Sequence, residues 1–129
     1  MITIEKELLL KDICGRLPYG VKCLHPYGVS ELNSISIEEY GIDLTFKSPD
    51  DNYYSIEQCK PYLRSISSMT EEEHKELESI RLRQSLQSVQ HVGFDAEILD
   101  FYYRHHLDVR FLIPLGLALE AEEGIYKIE

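Results

Sequence analysis

The 129-residue sequence predicts an α+β fold, on three observations. An apolar stripe at helical spacing opens the chain, four short alternating runs separated by turn residues follow, and further helical segments close it. The strand-rich part reads as a small antiparallel SH3/Sm-like barrel or meander, preceded by the N-terminal helix and covered by the C-terminal helices. One domain is expected over residues 1–129, with a helix over 1–17, a β-rich part over 19–65 and a mainly helical part over 68–129.

Taken in order, Leu10, Ile13, Cys14 and Leu17 follow i, i+3, i+4, i+7 and form the stripe of a helix from about Thr3 to Leu17. Thr3 is its expected N-cap, Gly15 weakens its last turn and Pro18 stops it. Gly20–Leu24 is a short β-like run, and His25-Pro-Tyr-Gly28 is a turn. Val29–Ile37 alternates, Glu38–Gly41 reads as a hairpin connection, and Ile42, Leu44 and Phe46 alternate with Asp43, Thr45 and Lys47. Ser48–Asn52 carries loop chemistry, Tyr53–Cys59 reads as a fourth strand, and Pro61 ends its pairing or marks an edge. Thr70 with Glu73 forms a capping box for a helix to about Ile80. Beyond it Leu82, Leu86 and Val89 fall on a different stripe, so either the helix bends or breaks near Arg81 or it contacts two bodies, and residues 82–93 fit helix or loop. Gly93 separates it from a helix over Asp95–His106, where Phe94, Ile98, Phe101, Tyr102 and His105 share a face. In the tail, Leu112, Ile113, Leu115 and Leu117 are expected to be buried.

Composition narrows the functional classes. Thirteen Lys and Arg against 23 Asp and Glu give a net charge of −10, which disfavours a phosphate backbone as ligand and is compatible with a basic protein partner without demanding one; its plainer reading is that it maintains solubility. Cys14, Cys23 and Cys59 are odd in number and widely spaced, so reduced thiols in a cytoplasmic protein are expected, packed as small core hydrophobes. No apolar run reaches membrane-spanning length.

Three stretches, Leu8–Lys22 (LLLKDICGRLPYGVK), Lys60–Glu73 (KPYLRSISSMTEEE) and His105–Ala121 (HHLDVRFLIPLGLALEA), together resemble an uncharacterised family of small proteins from gut-bacterial genomes, phages and mobile elements. The resemblance implies a bacterial or phage protein of one domain and supplies no catalytic residue.

Two residue groups are candidate binding sites. Lys60, Tyr62 and Arg64 alternate around Pro61 and Leu63, so an extended chain puts them on one side as a basic and aromatic patch for a carboxylate, a phosphate or a single-stranded base. The plainer reading is a solvated edge whose charges meet local acids. His105, Asp108 and Arg110 form the densest polar cluster. Its plainer reading is a helix end that fixes the tail, with His105 bonded to the turn that launches Phe111, Asp108 capping that turn and Arg110 pairing with Asp108. The adjacent His105 and His106 point about 100° apart on a helix and grip one metal poorly. The acidic run Glu71–Glu78 reads as a solvated helix start. Phosphate-loop, nucleophile-elbow and zinc-ligand motifs do not occur, so no cofactor or metal is called for and the reading leans away from an enzyme. The expected function is a non-enzymatic protein-interaction or regulatory module of a phage or mobile element. The alternatives are a nucleic-acid-binding Sm-like barrel and a small enzyme centred on His105, Asp108 and Arg110.

Overall fold

The computed structural model describes residues 2–47, 52–86 and 94–126. The expectations for the loop at 48–51, for Val89 and Gly93, and for the last three residues lie outside them. The architecture is α+β: an N-terminal helix, a six-stranded mixed open sheet, and two further helices.

Helix α1 spans Thr3–Arg16, with Ile2 rather than Thr3 in the capping position and no side-chain cap. Its buried residues are Leu9, Asp12, Ile13 and Arg16, while Cys14 is exposed and Leu10 and Leu17 are half-buried. Apart from the shared Ile13, the buried face is thus the expected stripe displaced by one residue. The cause is an i, i+4 ion pair, Asp12–Arg16, that the helix carries inward in place of apolar side chains. Cys23 and Cys59 are buried as expected, and burial pushes the Cys59 thiol up to about 12.

Strands β1 (Lys22–His25), β2 (Gly28–Glu38), β3 (Gly41–Phe46) and β4 (Tyr53–Ser55) form the antiparallel meander. Two-residue turns at Pro26-Tyr27 and Glu39-Tyr40 join the first three strands. Between Leu32 and Ser34 the β2–β3 register shifts, leaving Asn33 as a bulge. The bulge brings Leu32 and Ile35, three residues apart, onto the same inward face. Simple alternation along β2 misses this.

The expected fourth strand stops early. After Ser55 the chain makes a 3-10 turn, Ile56–Gln58, closed by a Ser55–Gln58 capping box, and then enters β5, Lys60–Leu63. Pro61 lies inside the sheet, opposite Cys23, because β1 and β5 pair over only two residues. A short β6, Leu119–Glu120, runs parallel to β5. The order is β4-β3-β2-β1-β5-β6; β4 and β6 lie at opposite edges, so the expected barrel is not closed.

Leu9 and Ile13 of α1 cover the inner sheet face, together with Leu112, Leu117 and Ala118 of the tail. A second core, Leu77, Ile80, Phe101 and Leu107, joins α2 (Glu71–Leu86) to α3 (Phe94–Arg104). The Thr70–Glu73 capping box opens α2 as expected. A break near Arg81 does not occur: the helix continues to Leu86, and Leu82 of the second stripe faces solvent. Of the four expected tail anchors, Leu112 and Leu117 are buried, Ile113 is half-buried and Leu115 is exposed.

Candidate functional site

The geometry of the site starts from Arg64. The backbone of Arg64 extends the line of β5: its N–H donates to the His106 carbonyl at 2.7 Å, and its own carbonyl accepts the Asp108 N–H at 2.8 Å. These bonds bring the end of α3 beside the start of α2. The Arg64 guanidinium then grips Glu73 through two hydrogen bonds, each 2.7 Å, and reaches the Ser68 and His105 carbonyls. The expected capping residue Glu73 therefore has two duties. It caps α2 and neutralises Arg64, and its side chain is 8% exposed, so it is not part of a solvated acidic run. The Arg64 hydrogen bonds hold its carboxyl at about 2, against the push of burial.

His105 stands between two carboxylates. Its Nδ1 lies 3.1 Å from Glu73 Oε2 and its Nε2 lies 3.1 Å from Glu76 Oε1. Both contacts are hydrogen bonds at once only when both ring nitrogens carry a hydrogen. Arg104 also reaches Glu76. Burial pushes the Glu76 carboxyl up, but the Arg104 and His105 bonds outweigh it and leave it below its ordinary value. His105 was expected to bond the turn before Phe111; the helix spacing of Glu73 and Glu76 offers it stronger acceptors.

The other half of the expected cluster faces elsewhere. Asp108 accepts the N–H groups of Leu112 and Ile113 at 2.8 and 2.9 Å, as its capping role requires. Arg110 does not pair with Asp108, whose oxygens those amides occupy. It donates to the Tyr103 hydroxyl at 2.7 Å and lies 3.5 Å from Asp12. Asp12 and Arg16 are both 0% exposed, joined at 2.6 Å, and Arg16 also donates to the Leu107 carbonyl at 2.6 Å. Burial pushes the Asp12 carboxyl up and Arg16 pulls it back. His105, Asp108 and Arg110 thus belong to two separate networks.

Of the expected patch, Lys60 is exposed, Tyr62 is half-buried and Arg64 is enclosed by Glu73. Instead of a basic strip, the surface offers a cleft of about 690 Å³ lined by Glu71, Glu72, Glu73 and Glu76 together with Arg64, Arg104 and His105. A smaller hollow of about 280 Å³ shares Arg64 and Tyr126 with it and adds Glu120, Glu122 and Glu123. Tyr126 is the wall between them. Its hydroxyl accepts the Lys22 N–H at 2.8 Å and donates to the Tyr62 carbonyl at 2.7 Å, a wedge between β1 and β5. His106 stacks on it with ring centres 3.6 Å apart. Burial first, then the nearby Arg16 and Arg64, pull the His106 imidazole down to about 4. Sequence reasoning missed Asp12, Arg16, Glu76 and Tyr126. The i, i+4 pair within Leu9–Leu17 and the i, i+3 pair Glu73/Glu76 are the signals that were legible; Tyr126 had none.

No group of His, Cys, Asp and Glu among the described residues is placed to hold a metal ion, and none of their helices is long and apolar enough to cross a membrane. No protein-family model, curated protein or solved structure matches the chain.

Proposed function

We propose that this chain is a non-enzymatic protein-interaction module of a phage or mobile element, and that it receives a cationic segment of another protein. The observation that carries the reading is the glutamate-lined double cleft around Arg64 and Tyr126, whose own cations are already engaged. Among the described residues, Glu71, Glu72, Glu120, Glu122 and Glu123 have no ion-pair partner. Carboxylates around a partly enclosed hollow concentrate the field on an incoming cation, and the net charge of −10 steers it there. The nucleic-acid reading loses its central cation, because Arg64 is neutralised by Glu73.

The test is fluorescence anisotropy of the full chain with labelled nona-arginine, nona-glutamate and single-stranded RNA at low and high salt. Nona-arginine is expected to bind, to weaken with salt, and to lose about tenfold in affinity with Glu71→Lys and Glu72→Lys together. Absence of nona-arginine binding at low salt, or salt-sensitive RNA binding lost in Lys60→Glu, would overturn the reading.

A further inference from the structure

The turn that follows Asp108 combines a rigid frame with exposed apolar side chains. Phe111 has φ +58°, the left-handed region, which a bulky L residue occupies at about 1–2 kcal/mol. The same residue is 63% exposed and belongs to neither core, and Leu115, four residues on, is 56% exposed. The backbone beneath them is held firmly. The Asp108 carboxylate takes the Leu112 and Ile113 N–H groups, the Phe111 N–H meets the Asp108 carbonyl at 3.3 Å, and the Gly116 and Leu117 N–H groups close onto Ile113 and Leu112 at 3.0 Å. Buried Leu112 and Leu117 root the turn in the main core. A strained backbone that is firmly fixed and leaves most of its aromatic residue in water adds nothing to either core of the folded chain.

We propose that Phe111 and Leu115 are a preorganised apolar anchor that inserts into an apolar recess of a positively charged partner protein. A rigid aromatic loses little freedom on docking, which suits it to the centre of an interface. Charge selects the occupant. A chain of −10 is repelled by an anionic membrane and by its own copies, and it attracts a basic protein. A second copy also has no matching recess among the described cavities, which are bordered by glutamate and arginine. Neither cleft includes Phe111 or Leu115 in its lining, so this anchor goes beyond the cleft reading and each can fail without the other.

The experiment places photoreactive benzoylphenylalanine at position 111 of the full chain, in the cell that makes it, and maps the adduct by mass spectrometry. The expected result is one adduct with apolar residues of a basic protein, reduced at least about tenfold by Leu115→Ser. An adduct with lipid, with a second copy or with no protein would overturn the proposal. Cosedimentation of the full chain with phosphatidylcholine/phosphatidylglycerol vesicles that Phe111→Asn abolishes would also overturn it. A second measurement separates anchoring from structure. Phe111→Asn relieves the left-handed strain and is expected to raise the melting temperature by about 2–5 °C; a fall would make the ring structural and sink the idea. The nona-arginine measurement reads the cleft independently, so a failed anchor is not mistaken for a failed cleft.

Discussion

Two polar networks in this chain use the same residue types, one centred on a pair sealed from water and the other running out to a solvated rim. Asp12, Arg16, Arg110 and Tyr103 tie α1 to the tail, and the Asp12–Arg16 pair at their centre is out of reach of water. Arg64, Glu73, His105, Glu76 and Arg104 tie β5, α2 and α3 together at the wall of a cleft, with exposure rising outward from Glu73 to Arg104. Burial decides what each is for. A dry charge cannot be abandoned without stranding its partner, so the first network specifies structure. The outer charges of the second network, Glu76 and Arg104, exchange their partners for water at small loss, so that end is free to face a ligand.

The largest test of this contrast is Arg16→Ala, which leaves Asp12 buried without its main partner. Stability by denaturant unfolding is expected to fall by about 3–5 kcal/mol. The double replacement Asp12→Leu, Arg16→Met removes both charges together and is expected to recover most of that loss. If the double variant is as unstable as the single one, the dry network does more than match charges. Gly15→Ala probes the same region sterically. A Cβ there would lie 2.1 Å from Tyr103 Cε2, on the ring that Arg110 bonds and Arg16 overlies. The ring is pinned, so a loss of about 2–3 kcal/mol is expected.

The sequence made the α+β class, the antiparallel meander and the α2 capping box legible, because each rests on contacts close in the chain. It did not reveal the open sheet order, since the β5–β6 pairing joins residues nearly sixty apart. Nor did it reveal the true face of α1: hydrophobic counting scores Asp12 and Arg16 as outward, whereas a closed ion pair is neutral enough to turn inward. The candidate residues do not group in space as their spacing in the chain suggests. His105 and Arg110 are five residues apart in the chain, yet the turn at His106, with φ +59°, sends them to different networks.

Acid titration separates the cleft wall into steps. The His106 imidazole is held down at about 4, so the native state favours its neutral form. Its contribution is full above about pH 6.5 and is lost as pH falls towards 4, because the unfolded chain takes up the proton first. Glu73, held at about 2, contributes above about pH 4.5 and loses that contribution only as pH falls through about 2. Stability is therefore expected to decline by on the order of 1 kcal/mol as pH falls from 6.5 to about 4.5, before Glu73 begins to contribute to the slope. His106→Phe keeps an aromatic ring beside Tyr126 and should flatten that segment of the curve. An unchanged slope in this variant would move the titration to another group.

The smallest effect is expected at the outer rim. Arg104 and Glu76 form a close pair, but their side chains are 43% and 36% exposed, so each retains much of its hydration in the paired state. Attraction between such groups is screened, and holding two long side chains in one geometry opposes it entropically. Glu76→Gln keeps the shape and an acceptor for His105 while removing the charge. It is expected to change stability by under about 1 kcal/mol, and 0.5 M salt should erase most of the difference. The same substitution removes one carboxylate from the cleft, so nona-arginine binding should weaken while the fold stays intact. That separation is the sharpest form of the contrast between the networks. A loss of stability comparable with Arg16→Ala, insensitive to salt, would mean that the cleft wall is built on the same terms as the dry interior and is not free to serve a ligand.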